Sequence, residues 1–329
     1  MTSLVQKISD DSFVDLTTLT VTELNRLHFE EESYTAEKVR QTAPFSTERA
    51  ALLKRGYALV HAVMQEKGVK QGQVKKAFGA NRHYCSLVKN EIRHIRKRKK
   101  NVLFFEAGVG GGLVLDALRD ENDLRIMGCD FCIEKKLADD PRFELYEGTI
   151  DQSLQRVEDS SIDLFYWNDV LEHILDDEID QYMNLIRRKM ADRGTVITIT
   201  PNKHVGPGDI SRLFLPPGSR AAGFHFHEYS FHELYDLWAR YGFRTKRCVF
   251  LNPLTKAIWN GPRSSFGIRC VESLRRSIEL VAPVIYPMAL RKVAIYVLGS
   301  FISINEKSSY NVQNVKMGSG EGDEASLFS

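Results

Sequence analysis

Residues 102–112 read Val-Leu-Phe-Phe-Glu-Ala-Gly-Val-Gly-Gly-Gly, an apolar run that ends in one acid and opens into alternating glycines. Apolar residues at successive positions describe a strand buried on both faces, and such strands belong to parallel sheets. Glycines directly past the strand permit a tight turn whose backbone approaches a ligand closely. The segment 113–118 then has helical patterning, and the start of a helix leaves free N–H groups for a polar ligand. The glycines fall at Gly108, Gly110 and Gly112, and Leu113 stands where the dinucleotide pattern G-x-G-x-x-G needs its last glycine. The stretch therefore points to a nucleotide-like ligand at a strand end, without the dinucleotide fingerprint.

From residue 101 onwards strand and helix patterns alternate. Strands are predicted at 102–106, 125–130, 143–146, 162–167, 195–200 and 244–251, with a further one at 266–270. This predicts an α/β fold: a Rossmann-like, doubly wound, mostly parallel sheet. Upstream, Ala50, Leu52, Leu53, Tyr57, Val60, Val63 and Met64 recur at helical spacing. The chain then divides into a loose acidic N-terminal arm (1–45), a helical cap (46–100), a ligand-binding core (101–252), a C-terminal helical extension (253–305) and a disordered polar, glycine-rich tail (306–329).

A hydrophobic content of 43% over 329 residues supports a substantial core, and a formal net charge of +2 makes no global case for nucleic acid. The basic run at 93–100 is the one local candidate. It lacks interleaved aromatics for base stacking and reads as a solvated helix end, where cations complement the helix dipole. Five cysteines, an odd number, do not form a secreted disulfide framework, so a cytoplasmic protein is expected. Cys129-x-x-Cys132 has no second pair to complete a zinc site. No basic stretch followed by an apolar core opens the chain. The apolar region 280–304 is interrupted by Pro283, Pro287, Arg291 and Lys292, and reads as a substrate cover rather than a transmembrane segment. The oligomeric state is left open.

The spacing E-x-G-x-G-x-G over Glu106, Gly108, Gly110 and Gly112 resembles motif I of the class I S-adenosylmethionine (SAM) dependent methyltransferases. The resemblance implies that this acid and these glycines surround the amino-acid part of SAM. Asp130, at the end of the second strand, is placed to accept hydrogen bonds from the ribose hydroxyls. Thr149 and Ile150, after the third strand, correspond to the adenine-binding position, and Asn168 at the end of the fourth strand completes the expected cofactor set.

Residues 162–174 resemble the fourth-strand segment of small-molecule methyltransferases, in which a strand runs into Leu-Glu-His. The Asn/Asp-Pro-Pro-Tyr/Phe motif of nucleobase and amide N-methyltransferases is missing there, which weighs against amino-group methylation of bases. Asp169, Glu172 and His173 stand at i, i+3 and i+4 and would share one helix face. With Thr200-Pro201-Asn202 and His225-x-x-Glu228-Tyr229-Ser230, they resemble the site of the small-RNA 3′-terminal ribose methyltransferases. That resemblance implies a divalent metal held by Asp169, Glu172, His173 and His225, with aspartate in place of the first glutamate. Such a donor set suits Mn²⁺, Fe²⁺ or Zn²⁺ better than Mg²⁺. Similar segments also occur in metal-free methyltransferases, with the glutamate capping and the histidine packing. In that case His225 or His227 is the candidate general base, with Asp169 beside it. The expected function is methyl transfer from SAM to a hydroxyl or carboxyl oxygen of a small-molecule acceptor. The alternatives are ribose 2′-O-methylation of RNA and a SAM-binding module without catalysis.

Overall fold

The computed structural model describes residues 4–71, 82–252, 254–255, 257–285 and 288–308. Its N-terminal stretch corrects the expectation of a loose acidic arm. Strand β1 (Leu4–Gln6) pairs antiparallel with β2 (Phe13–Asp15). Helix α1 (Val21–Arg40) opens with a capping box in which Thr20 and Glu23 bond reciprocally. Leu24, Leu27, Ala36 and Val39 of α1 are buried, and so are Glu31 and Glu32. These acids are not solvated: Glu31 Oε2 accepts from the Ile8 and Ser9 N–H groups at 2.6 and 3.0 Å, and Glu32 Oε1 accepts from Phe224 N–H at 2.7 Å. Backbone donors remove most of the penalty of burying a carboxylate. Helices α2 (Thr47–Lys70) and α3 (Arg82–Arg96) follow and lead into the sheet.

Strand β3 (Val102–Ala107) is buried at every position. Val102 and Phe104 enter one core layer, whereas Leu103, Phe105 and Ala107 enter the other, as the pleat of a two-sided strand requires. In chain order come α4 (Leu113–Leu118), β4 (Leu124–Asp130), α5 (Lys135–Ala138), β5 (Phe143–Glu147), α6 (Ile150–Gln155), β6 (Ile162–Asn168), α7 (Ile179–Lys189), β7 (Met190–Ile199), α8 (Phe231–Arg240) and β8 (Phe243–Thr245). Then follow a hairpin of β9 (Val249–Leu251) and β10 (Ile258–Asn260), helices α9 (Ser265–Ile285) and α10 (Met288–Leu298), and β11 (Ile302–Lys307).

The central sheet has the order β5-β4-β3-β6-β7-β11-β8, with β3 to β7 parallel and β11 antiparallel to both neighbours. From β3 the chain winds outward to β4 and β5, then crosses back to β6 on the other side. The carboxyl ends of β3 and β6 thus flank a topological switch point, where open α/β sheets bind ligands.

Three expectations are corrected at the C-terminal side. The single strand at 244–251 is two short ones, β8 and β9, because Lys246 and Arg247 between them turn to ion-pair with Glu91. Residues 266–270 lie in α9 rather than in a strand. The helical extension does not reach 305, nor does the polar tail begin at 306. Ile302 to Glu306 form a buried strand in register with Ile199 to Thr195 of β7. The rest of the expected tail, from residue 309, lies outside the described residues. No helix of the described residues is long and apolar enough to cross a membrane.

Candidate active site

Past Ala107 the chain turns through Gly108, Gly110 and Gly112 at φ of 74°, 53° and 72°. Side chains rarely adopt this left-handed region. A Cβ on Gly108 would collide with Val170 Cγ2, and one on Gly112 would stand 2.6 Å from Leu137 Cδ1. Beside Gly110 there is open space. Gly112 caps α4 without a side chain, so the first N–H groups of that helix face the turn.

Around this turn lie polar groups that the fold leaves incomplete. Glu106 Oε2, Thr149 Oγ1 and Asn168 Oδ1 are buried with no partner among the described residues. They sit at or just past the carboxyl ends of β3, β5 and β6. Burial, then the neighbouring Asp130, pushes the Glu106 carboxyl well above its ordinary range. Asp130 accepts from the N–H groups of Gly110 (2.8 Å) and Cys132 (3.2 Å), yet burial still holds its carboxyl above the usual range. Thr149 stands at the N-cap of α6 but makes no cap bond, and Ile150 packs half-buried on the layer beneath. Each unmade buried bond costs about 1–3 kcal/mol. A ligand with amino-acid, ribose and base parts supplies the missing partners, so these residues fit SAM.

The acceptor side begins where β6 ends. Asp169 has φ 53° and precedes the short 3-10 helix Leu171–His173, so it does not share a helix face with Glu172 and His173. This corrects the expectation drawn from the i, i+3, i+4 spacing. Asp169 is exposed, and its Oδ2 accepts from Asn168 Nδ2 at 2.9 Å. Glu172 is fully buried: Oε2 accepts from Thr200 Oγ1 at 2.9 Å, whereas Oε1 has no hydrogen-bond partner and lies 3.9 Å from His225 Nε2. Burial pushes its carboxyl up to about 8 against the pull of His225.

Two imidazoles close the group. His173 Nδ1 lies 3.0 Å from the Phe224 carbonyl, which can only accept, so Nδ1 carries the proton and Nε2 keeps its lone pair. Burial pushes its pKa down to about 3. His225 Nδ1 lies 2.8 Å from Glu228 Oε1. Burial opposes its charge, but the hydrogen bond to Glu228 and the carboxylates of Glu172 and Asp209 bring it up to about 9. The rings meet edge to face, their centroids 4.8 Å apart. Ligand atoms of Glu172, His173 and His225 lie within 4.8 Å of one another, and Asp169 is not in that group. A carboxylate oxygen without a partner, beside two imidazoles each oriented through its second nitrogen, is a donor set that fits a divalent transition metal.

His227 does not join it. Its Nδ1 lies 2.7 Å from Asp176 Oδ1, and its ring stacks on Tyr229 at 4.2 Å. The Cys129 thiol is buried and pushed up to about 12, the state of an inert core cysteine. Two contributors from the N-terminal elements were not foreseen. Tyr57 of α2 stacks on Phe131 beside Asp130 at 5.1 Å and packs against Phe224 and His173 at 4.8 and 5.8 Å, roofing both halves of the site. Glu32 of α1 holds the Phe224 backbone. The signal for Glu32 is in the sequence, since it lies on the same face of α1 as Ala36 and Val39.

Among solved structures, the chain is similar to a SAM-dependent methyltransferase from Archaeoglobus fulgidus, at 18% identity over 68% of this chain and 94% of that one, with a TM-score of 0.42. It is also similar to a geranyl diphosphate methyltransferase in complex with SAM, at 12% identity over 82% and 94% of the two chains, TM-score 0.42. Phosphoethanolamine N-methyltransferase 2 of Haemonchus contortus matches at 14% identity over 66% of this chain and 51% of that one, TM-score 0.39. No curated protein sequence matches significantly. A family model described as a methyltransferase domain matches residues 76–246, more than half of the chain. With that match spanning the glycine turn, Asp130 and the Glu172–His225 group, the chain belongs to the class I SAM-dependent methyltransferases.

Proposed function

We propose that the methyl group goes to a hydroxyl or carboxyl oxygen of a small-molecule acceptor, and that His225 takes the proton when the acceptor is a hydroxyl. The observation that carries this reading is the buried Glu172–His225 pair, polar and incompletely bonded, beside the switch-point crevice. SAM supplies an activated methyl on a cationic sulfur, so the residues have two tasks, alignment and proton removal. The acceptor oxygen bonds to the methyl carbon as the carbon–sulfur bond breaks and the sulfur becomes neutral. Without a bound cation, the hydroxyl proton passes to Nε2 of neutral His225, the form favoured above about pH 9, so turnover should rise as pH approaches that range. Glu228 at Nδ1 fixes the ring and, with Glu172, stabilises the imidazolium. Tyr57 and Phe224 cover the site with apolar surface, which favours a compact acceptor over a polymer.

In the alternative arrangement Glu172, His173 and His225 would hold a divalent cation, with His225 Nε2 then a ligand and not the base, and the cation's chemistry would be to lower the pKa of an acceptor hydroxyl. Exhaustive chelation is then expected to abolish turnover, with recovery on adding Mn²⁺ or Zn²⁺. Full activity after chelation would reject the cation and leave His225 to act alone.

The reading is tested by incubating the protein with SAM and a panel of hydroxyl, carboxyl and amine compounds plus a single-stranded RNA, and following a gain of one methyl by mass spectrometry. O-methylated small molecules are expected. Replacing His225 with Ala should lower turnover of a hydroxyl acceptor by roughly a hundredfold or more with binding of S-adenosylhomocysteine unchanged. Product formed only on amines or RNA would overturn the assignment.

A further inference from the structure

A second cleft of about 940 Å³ lies away from the glycine turn, between α3, α8, β8 and the start of α9, with the end of β11 in its wall. Because β11 runs antiparallel, its Asn305 and Glu306 pair with Val196 and Thr195. They therefore sit toward the edge of the sheet where the parallel strands begin, opposite the edge that carries Gly108 and Glu172. Seven arginine and lysine side chains line the cleft against three carboxylates. Lys246 and Arg247 are paired with Glu91, and Arg244 with Glu306. Arg93, Lys97, Arg263 and Arg269 have no acidic partner among the described residues. Two of these come from the basic run at 93–100, whose Arg96 and Lys99 are occupied by Glu121 and Asp163.

The wall holds an independent sign of a ligand. Trp238 Nε1, Arg247 Nε and Glu272 Oε1 have no hydrogen-bond partner among the described residues, and their side chains are 1%, 4% and 6% exposed. Two donors and one acceptor are thus left unmet in the wall of a cleft that carries an excess of positive charge. We propose that this cleft binds a phosphorylated small molecule, its phosphate on the unpaired arginines and its hydroxyl-bearing part against Trp238 and Glu272. Arginine forks match the tetrahedral oxygens of a phosphate, and several unpaired cations match a dianion better than a single carboxylate. The cleft's volume is that of a small-ligand pocket, and Glu272 in the wall disfavours a continuous nucleic-acid backbone.

The test is calorimetric titration of the full chain, saturated with S-adenosylhomocysteine, with ribose 5-phosphate and glycerol 3-phosphate, and with ribose as the phosphate-free control. Saturable one-to-one binding of at least one phosphate ester, roughly tenfold tighter than ribose, is expected. The double variant R263A/R269A should weaken it by a similar factor while melting as the parent does, because both arginines are exposed. W238F, which removes the N–H and also shrinks a buried ring, should melt lower than the parent and weaken binding less than R263A/R269A does. Failure of both esters to bind, binding unaffected by R263A/R269A, or tighter binding of a single-stranded RNA would each overturn the proposal.

Discussion

The three glycines of the turn are held by different constraints, and they separate folding from cofactor binding. At Gly108 and Gly112 an added methyl meets Val170 and Leu137, whereas at Gly110 it meets no atom. Left-handed backbone alone costs a non-glycine residue about 1–2 kcal/mol. G108A is expected to lose that and the packing of Val170, so its melting temperature should fall furthest. G110A should lose only the backbone term, about 1–2 kcal/mol, yet bind SAM at least roughly tenfold more weakly, because its methyl group occupies ligand space. Calorimetry with SAM on a folded G110A decides it: parental affinity would show that the cofactor does not sit on this turn. Thr200 offers a second test, since its hydroxyl donates to Glu172 Oε2 in the buried site. T200V should cost about 1–3 kcal/mol in chemical denaturation. At this scale the strand-end placement of Glu106, Asp130 and Asn168 was legible, and so was the grouping of Glu172, His173 and His225. The outward place of Asp169 and the choice between the two distal histidines were not. His225 and His227 stand two positions apart, and which imidazole turns inward is decided by Glu228 and Asp176.

Among elements, α1 shows how a readable signal is overridden by composition. Thr20-x-x-Glu23 is a capping box, and Leu24, Leu27, Ala36 and Val39 follow at helical spacing. The run Glu30-Glu31-Glu32 masks that pattern, because acids on an apolar face make sense only once their distant donors, Ile8, Ser9 and Phe224, are known. E32A leaves Phe224 N–H unpaired beneath α1 and is expected to destabilise by about 1–3 kcal/mol. It should also loosen the His225 loop, seen as faster amide exchange there. Packed against Glu32, His28 lies 3.2 Å from Lys67 Nζ of α2, whose pKa burial lowers to about 8. The folded chain therefore sheds this proton before the unfolded chain does. Between about pH 8 and the ordinary lysine range the unfolded state binds more protons, so stability should rise with pH. Relative to K67M, the parent should gain denaturation midpoint across that window and keep a constant difference below it. A difference that does not change with pH would show Lys67 to be solvated.

For the whole molecule, the decisive element is β11, which sequence patterning assigned to the helical extension and the tail. Local periodicity located β3 to β7 because each is followed by its own crossover. β11 is separated from its neighbour β8 by the hairpin and two helices, yet it lies between β8 and β7. Its alternation, Ile302 and Ile304 against Ser303 and Asn305, spans too few residues to stand out after a long helical run. The inserted helices hold it in place. Arg275 of α9, 1% exposed, donates to the carbonyls of Leu298 and Val249 and packs over the Phe231 ring at 4.5 Å. Gly299 turns at φ 61° against the Val249 carbonyl, so the chain enters β11 at a fixed point. Ending the chain after Leu298 would strip β7 and β8 of their shared ladder and remove two buried isoleucines. Those side chains are worth about 1.5–3 kcal/mol each, against a typical total stability of about 5–15 kcal/mol. Loss of the ladder adds unpaired backbone groups on both exposed edges. The truncated chain is expected to lose cooperative unfolding and to aggregate through those edges. R275M in the full chain should keep a cooperative transition at a lower midpoint. Circular dichroism with denaturant distinguishes the cases: a truncated chain that unfolds at the parental midpoint would mean that β3 to β7 fold as a unit without the C-terminal strand.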